Sequence, residues 1–218
     1  MRIHFDEQLN TLNREMITMG SMIERAIEDV CDVLRSNDLE KAAVIVKGDD
    51  EVDRKERDIE SLCLRLLLLQ QPVARDLRVI SAALKMITDM ERIGDQASDI
   101  AEIITMPVEG ELLEKPEHLQ LMGEAAATMV HRAVDAYVSR DVALADEVIE
   151  SDDIVDRLFD QVKLDLMKDI KAHSQFGMQL LDTLMIAKYF ERIADHAVNI
   201  AEWVQYAVTG YYKGEKIH

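Results

Sequence analysis

The chain carries one acidic phrase twice, 100 residues apart, and this repetition limits the folds that it can adopt. The stretch at 91–102 reads ERIGDQASDIAE and the stretch at 191–202 reads ERIADHAVNIAE, with eight identical positions. Self-similarity at a fixed separation indicates that a structural unit is repeated. The chain is therefore expected to fold as two related halves.

The repeat extends well beyond this phrase. Residues 37–54, NDLEKAAVIVKGDDEVDR, match residues 140–157, RDVALADEVIESDDIVDR, at an offset of 103. Upstream, MIERAI at 22–27 matches MVHRAV at 129–134 at an offset of 107. The first helix of the second half is therefore four residues shorter. Four residues are about one helical turn, so the faces of this helix stay in phase with those of its counterpart.

Composition and periodicity predict an all-α fold. The chain has only three prolines and eight glycines in 218 residues and lacks the alternating apolar pattern of strands. Six long helices are predicted, at roughly 6–36, 38–70, 73–105, 117–139, 141–172 and 176–208. Because the connections are short, successive helices are expected to be antiparallel neighbours, which gives two tandem three-helix bundles.

The two bundles are predicted as domains 1–105 and 117–218. The segment between them, 106–116, reads MPVEGELLEKP, and its two prolines and one glycine are typical of a linker. In the first half, Pro72 is expected to open the third helix, where the missing N–H of proline costs nothing.

Charge and cysteine content restrict the partners and the compartment. The formal net charge is −18, which repels nucleic-acid phosphates and suits cations or basic partner surfaces. Cys31 and Cys63 lie in helical apolar patterns without a metal-binding or redox spacing, so buried reduced thiols and a cytoplasmic location are expected. The most apolar stretch, LCLRLLLL at 62–69, is too short to span a bilayer, so any membrane association would be peripheral.

Acidic residues recur in pairs four residues apart, and each pair projects from one side of its helix. The pairs are Asp49 with Asp53 and Glu91 with Asp95 in the first half, and Asp152 with Asp156 and Glu191 with Asp195 in the second. In a hairpin that turns near Pro72, Asp53 and Glu91 each lie 19 residues from the turn, and Asp49 and Asp95 each lie 23 residues from it. The counts in the second half are similarly symmetric, so the sequence predicts two patches of four carboxylates.

These patches have two interpretations. A solvated acidic face is the ordinary one, with Arg54, Arg92, Arg157 and Arg192 as neutralising neighbours. However, like charges at i, i+4 destabilise a helix by roughly 0.2–0.5 kcal/mol per pair, and level pairs on adjacent helices add repulsion. Multivalent cations would offset this repulsion better than arginines. Ligation by carboxylates alone favours Mg²⁺, Mn²⁺, Fe³⁺ or Ca²⁺ over structural zinc, and Asp99 is a candidate additional ligand.

Catalysis has no positive support in the sequence. A di-iron oxidase bundle needs inward glutamates and an ExxH motif on two helices, and only one of the six histidines follows a glutamate by three residues: His218 follows Glu215, beyond the last predicted helix. His196 directly follows Asp195 and is expected to be a solvent or core histidine. There is also no phosphate-binding GxxxxGK[ST] loop.

Taken together, the order and duplication of these motifs resemble the PhoU family of bacterial phosphate-signalling regulators. The resemblance covers the two ERI[GA]D phrases, DDEVD and DDIVD, ITMGSMIERAI, QPVARDLR and the final VTGYYKGEKIH. It implies pseudo-twofold symmetry between the bundles and metal ions, such as iron, manganese, magnesium or zinc, at the paired acidic motifs. By carry-over, the ligands are the four acidic pairs named above.

The resemblance also implies a function that spacing alone could not indicate. Members of the family act as negative regulators of the phosphate-starvation response, linking the ATPase of the phosphate ABC transporter to a sensor histidine kinase and catalysing no reaction. It implies a homodimer and peripheral membrane association through these partners. The alternatives are a protein that stores or senses metal ions and an accessory regulator of a low-affinity phosphate permease.

Two departures from the repeat bear on these expectations. The second half has HSQFGMQLLDT where the first has QQPVARDLRVI. Arg75, Asp76 and Arg78 therefore have no counterparts in the second half, and any role they have belongs to the first half alone. Asn199 stands in place of Asp99, which would weaken the second metal site or change its occupancy.

The end of the chain contains a group of aromatic residues. Trp203 and Tyr206 fall within the last helical pattern, whereas Tyr211 and Tyr212 follow Gly210, which is expected to end the helix. Exposed aromatic side chains are strong anchors in protein interfaces. Tyr211 and Tyr212 are therefore the predicted partner-binding residues.

Overall fold

The computed structural model describes residues 2–70, 74–107, 113–172 and 174–216. The six predicted helices are present, as α1 (Arg2–Ser36), α2 (Leu39–Gln70), α3 (Ala74–Thr105), α4 (Glu117–Ser139), α5 (Val142–Ala172) and α6 (Gly177–Thr209). A short 3₁₀ turn, Ser174–Phe176, precedes α6. Pro72 and part of the 106–116 linker lie outside the described residues.

Each half of the chain forms a bundle of three helices. The helices α1, α2 and α3 pack against one another in the first half, and α4, α5 and α6 do so in the second. The two bundles meet where α3 packs along α6 and α1 along α4. The all-α prediction and its two three-helix repeats are therefore confirmed. No helix of the described residues combines the length and the hydropathy that a membrane crossing requires.

The repeat is visible in how the helices begin and end. Asp38 accepts hydrogen bonds from the backbone N–H groups of Glu40 and Lys41, both at 3.0 Å, and so caps α2. Asp141 caps α5 in the same way, accepting from Ala143 at 2.9 Å and Leu144 at 3.1 Å. Because a capping carboxylate satisfies N–H groups that the helix leaves unpaired, these two aspartates fix the start of α2 and α5.

The core is one continuous apolar cluster that includes buried residues of all six helices. Met86 and Met90 of α3 and Phe190 and Ile193 of α6 are fully buried. These methionine and aromatic side chains therefore belong to the core. Cys31 and Cys63 are free and buried, as predicted.

The chain ends in a feature that the sequence did not indicate. Two short strands, β1 (Tyr211–Tyr212) and β2 (Glu215–Lys216), pair antiparallel after α6. Gly210, which has a φ of 84°, ends α6 in the left-handed conformation, and its N–H donates to the carbonyl of Tyr206. Glycine adopts this conformation without steric cost, so it can turn the chain sharply into the hairpin.

Candidate metal centre

Three of the predicted ligands meet between α2 and α3. Asp49 and Asp53 project from α2 and Asp95 from α3, and one carboxylate oxygen of each lies within 4.8 Å of the other two. All three residues are partly buried. The level heights that residue counting predicts for Asp49 and Asp95 therefore correspond to an actual cluster.

The environment of Asp49 opposes its negative charge. Burial, followed by the charges of Asp95 and Asp53, raises the pKa of Asp49 to about 6. One oxygen of this carboxylate, Oδ1, is buried and has no hydrogen-bond partner among the described residues. A buried acceptor without a partner is costly, and a cation is the group that would satisfy it best.

Glu91, the fourth predicted ligand of the first half, lies at the same patch. Its pKa is also raised, mainly by burial and then by the charge of Asp95. Arg92 pairs with both of these acids, at 2.9 Å from Asp95 and 3.5 Å from Glu91. Arg57 pairs with Asp53 at 3.4 Å. The arginines therefore partly neutralise Asp53, Glu91 and Asp95, whereas Asp49 forms no ion pair with a basic residue of the described part of the chain.

The four acids of the second half form a more open patch. Burial and the nearby charges of Asp156 and Asp195 raise the pKa of Asp152 to about 6. Asp195 also has a raised pKa, because neighbouring atoms partly desolvate its carboxylate and Glu191 adds negative charge. However, Asp156 and Asp195 are more open to solvent than Asp152, and no triad of the described residues in this half gathers within 4.8 Å. Glu191 pairs with Lys188 instead.

Gly94 gives a physical reason for this difference. A Cβ at position 94 would lie 3.1 Å from Cγ1 of Val52 and 3.5 Å from Oδ1 of Asp49, so the glycine allows α2 to approach α3 closely. In the second half, Ala194 stands at the equivalent position. The change from ERIGD to ERIAD in the repeat thus falls at the contact between the two helices that carry the acids.

Asp99, the candidate additional ligand, lies beside the other bundle. Burial, followed by the nearby charge of Asp99, raises the pKa of Tyr189 of α6. The charge of Asp99 also contributes to the raised pKa of Asp49, so Asp99 lies near the triad without joining it.

The equivalent position in the second half also makes a contact between bundles. Asn199 donates to Asp89 at 3.0 Å, and His196 lies 2.8 Å from the same oxygen. The side chains of His196 and Asp89 are 19% and 15% exposed. Sequence reasoning missed this cluster. The repeat carries a signal for it. Asp89 is equivalent to Tyr189 and Asp99 to Asn199, and residue 89 of the first half contacts residue 199 of the second, while residue 99 lies near residue 189.

The two tyrosines predicted to bind partners differ in exposure. Tyr212 stacks on Trp203, with ring centroids 4.1 Å apart and an angle of 22° between the rings, and it is partly buried. Tyr211 is 49% exposed. Lys213, in the turn of the hairpin, pairs at 3.0 Å with Glu202 of α6. The hairpin is thus held against α6, with Tyr211 presented to solvent.

The donor set of the first cluster fits a hard cation. It consists only of carboxylate oxygens, which magnesium, manganese, iron and calcium accept, and it contains an oxygen without any other partner. A cation there would neutralise charges that α2 and α3 otherwise bring together against their repulsion.

Fold and site together define an all-helical protein of two tandem three-helix repeats with carboxylate patches on adjacent helices. The family model for the PhoU domain matches residues 16–104 and 119–204, one match in each half. The chain therefore belongs to the PhoU family, which confirms the resemblance found in the sequence.

Several relatives agree with this assignment. The chain is 37% identical over 207 residues to the phosphate-specific transport system accessory protein PhoU homolog of Clostridium acetobutylicum, covering 94% of each protein. It is 35% identical over 186 residues to the homolog of Aquifex aeolicus, covering 85% of this chain and 84% of that protein.

Solved structures show the same fold. The crystal structure of PhoU from Pseudomonas aeruginosa matches with a TM-score of 0.90 at 32% identity, over 95% of this chain and all of that one. The phosphate transport system regulatory protein PhoU from Streptococcus pneumoniae matches with a TM-score of 0.88 at 26% identity, over 95% and 98% of the two chains.

Proposed function

We propose that this protein is an accessory regulator of a phosphate-specific transport system, and that it represses the phosphate-starvation response when phosphate is plentiful. The observation that carries the proposal is family membership over nearly the whole chain, together with the names of the relatives, which describe accessory proteins of phosphate-specific transport. Such a protein works through contacts with other proteins and catalyses no reaction.

In this proposal the protein links the ATPase of the transporter to the sensor histidine kinase. It would act in the cytoplasm and reach the membrane only through these partners. The net charge of −18 supports basic surfaces on the partners, because long-range attraction steers oppositely charged proteins together. A homodimer is part of the same proposal.

Deletion of the gene tests the regulatory role. In phosphate-replete medium, a reporter driven by a phosphate-starvation promoter should be active in the deletion strain and silent again when the protein is restored. A pull-down with the protein from replete cells should capture the transporter ATPase and the kinase. A silent reporter in the deletion strain would refute the repressor role.

The acidic clusters support a second element of the proposal, a bound metal ion. In the first half, Asp49, Asp53, Asp95 and Glu91 would hold it, and in the second half Asp152, Asp156, Glu191 and Asp195 would do so. When bound, the ion supplies positive charge that offsets the repulsion between the carboxylates of two adjacent helices. The observation that favours it is the buried, unpartnered oxygen of Asp49.

Paired substitutions test the ligands of each cluster. Asp53→Ala with Glu91→Ala should remove the metal of the first half, and Asp156→Ala with Glu191→Ala should remove that of the second, as measured by elemental analysis of gently purified protein. Asp58→Ala with Glu60→Ala, which removes two exposed acids of α2 outside the cluster, is the matched control. Unchanged metal content in all variants would refute the ligand assignment.

The same variants separate regulation from metal handling. If metal storage or sensing were the function, a metal-free protein would lose all activity. If the protein is an adaptor in which metal is structural or tuning, the metal-free variants should still repress the reporter. The accessory control of a low-affinity permease would instead appear as altered phosphate uptake in a strain that lacks the ABC transporter.

A further inference from the structure

A large hollow lies at one end of the molecule, outside both acidic clusters. It has a volume of about 520 Å³ and is bounded by the first turns of α1 and α3 and the last turns of α4 and α6. Its apolar wall includes Leu9, Val79, Val204 and Val208. Volumes of roughly 300–1,000 Å³ are typical of ligand-binding sites. Neither the metal proposal nor the hairpin uses this surface.

A second hollow lies at the opposite end of the molecule, at the position that the repeat makes equivalent to the first. This second hollow is filled. That hollow has a volume of only about 40 Å³ and lies among the ends of α1 and α3 and the start of α6. Leu113 and Lys115, in the extended segment before α4, line it, and the backbone N–H of Leu113 donates to Oε1 of Gln179 at 2.8 Å. An extended segment of the chain itself therefore covers this hollow.

The first hollow stays open because the corresponding segment is helical. At the offset of 107, residues 113–116 correspond to residues 6–9, which are part of α1. Pro116 caps the start of α4 with an extended conformation, φ −58° and ψ 141°, so the chain before it turns across the bundle end. Leu9 stands at that position in the first half and lets α1 continue straight.

Several polar side chains of the open hollow have no side-chain partner within the part of the chain that the structure describes. Neither Arg75 nor Arg140 forms an ion pair with another described residue. Tyr137 is only 9% exposed as a residue, and its hydroxyl, which lies near Arg140, makes no hydrogen bond with the described residues. The hydroxyl itself is not among the buried unpartnered atoms, so it reaches the open space of the hollow and can bond to an occupant there.

The two hollows differ in their charged residues. The filled hollow combines Lys115 of the covering segment with Asp182 of α6. The open hollow is lined by Arg75 and Arg140 and by the acids Asp6 and Asp76. Arg140 corresponds to Asn37, and both follow their helices with a φ of 55°. Asp76 and Asn10 remain as acceptors for backbone N–H groups, the role that Gln179 has in the filled hollow.

We propose that the open hollow is a docking site for an extended peptide segment of a partner protein, with an apolar side chain followed by an acidic one. The apolar side chain lies against Val79, Val204 and Val208, and the acidic one binds Arg75 and Arg140. The backbone donates to Asp76 or Asn10, in the way that Leu113 donates to Gln179. The site does not depend on bound metal or on the regulatory role.

Binding can be measured with peptides built on the segment that covers the filled hollow. The probes are ELLEKPEH, which is residues 111–118, and the same peptide with Lys115→Glu or Lys115→Ala. The methyl resonances of the full-length protein are followed by NMR. The Glu peptide should shift those of Leu9, Val79, Val204 and Val208 with a Kd below about 1 mM, and should bind at least about fivefold more tightly than the Lys peptide.

Substitution of the two arginines locates the contact. Arg75→Ala with Arg140→Asn should lower the affinity for the Glu peptide by roughly tenfold or more. Asparagine suits position 140 because it tolerates positive φ and occurs at the equivalent position 37. Arg65→Ala with Arg157→Ala, which removes two exposed arginines elsewhere, is the control and should leave binding unchanged.

Three results would overturn the proposal. In the first, none of the peptides shifts these methyl groups at 1 mM. In the second, the double arginine variant and its control bind the Glu peptide equally well. In the third, inorganic phosphate or ATP shifts the same methyl groups while the peptides do not, which would make the hollow a site for small anions.

Discussion

At the scale of single residues, Asp49 is where the fold and the electrostatics conflict most clearly. A carboxylate with a buried, unpartnered oxygen beside two other carboxylates destabilises the folded chain unless it binds a proton or a cation. Asp152 is its repeat equivalent and has a similarly raised pKa of about 6. Both halves therefore carry a charge that the fold alone does not compensate.

This conflict predicts how the stability of the metal-free protein depends on pH. The folded pKa of Asp49 and Asp152 is about 6 against an ordinary 3.8, so the folded state binds these protons more tightly than the unfolded state does. The resulting stabilisation is complete below pH 3.8 and is lost as pH rises through about 6. In the presence of a chelator, Tm should therefore be higher at pH 5 than at pH 7.5, by roughly 2–4 °C.

The variant Asp49→Asn with Asp152→Asn should show a smaller rise in Tm between pH 7.5 and pH 5, because it lacks the two titrating groups. Asp50→Asn with Asp153→Asn, which changes the exposed neighbours, is the control and should keep most of the rise. A rise in the Asp49 variant as large as that of the unaltered protein would show that other groups cause the pH dependence.

At the scale of helices, the approach of α2 to α3 decides how tightly the first triad is gathered. Gly94→Ala would place a Cβ 3.1 Å from Val52 and 3.5 Å from Oδ1 of Asp49. The helices must then separate by a few tenths of an ångström. We expect the affinity for Mn²⁺ to fall by roughly tenfold, or about 1.4 kcal/mol.

The affinity is measured by titration of chelator-treated protein in a background with Asp156→Ala and Glu191→Ala, so that only the first cluster is observed. Gly48→Ala is the matched control, because a Cβ at position 48 meets nothing within 4 Å. It adds the same methyl group on α2 next to the cluster and should leave the affinity unchanged. Equal affinities in the two variants would mean that the spacing of the helices is not critical.

The C-terminal hairpin allows packing and partner binding to be separated. Tyr212→Ala removes the ring that stacks on Trp203 and should lower stability by about 1–2 kcal/mol, seen as a lower Tm.

Tyr211→Ala should leave Tm unchanged but weaken capture of the transporter ATPase or the kinase by roughly tenfold. If Tyr211→Ala leaves capture intact, partners dock elsewhere.

The sequence predicted the helices better than the details at their ends. Capping residues such as Asp38 and Asp141 act locally, so the start of α2 and α5 could be predicted to within a residue or so. The hairpin at 211–216 was missed because strands of two residues carry no period. The helical start of α1 was placed at residue 6 instead of Arg2, since no proline or capping signal marks it.

At the scale of the whole molecule, the contacts between the two bundles are what sequence reasoning could not supply. The i, i+4 spacing places acids on one face of a helix, and the repeat predicts which pairs are level. Whether a given face turns toward its own bundle or the other depends on packing between distant segments. Asp99, for example, was predicted as an additional ligand from its place on the acidic stripe, and the sequence could not show that it lies near Tyr189 of the other bundle and outside the triad.

Because α3 packs along α6 through fully buried residues, the two halves are expected to unfold together. Two probes report on them separately: the fluorescence of Trp203, the single tryptophan, for the second half, and the accessibility of the thiol of Cys63, which is fully buried, for the first. Their urea transitions should coincide, as they do when unfolding is a two-state process.

Phe190 is the residue with which to test this coupling. It is fully buried, and a Cβ added at Gly123 of α4 would lie 2.9 Å from its ring and 3.1 Å from Sγ of Cys31, so both bundles meet beside it. Phe190→Ala should lower the free energy of unfolding by about 3–5 kcal/mol. Both transitions should move to lower urea by the same amount. A shift of the Trp203 transition that leaves the Cys63 transition in place would show that the halves unfold independently.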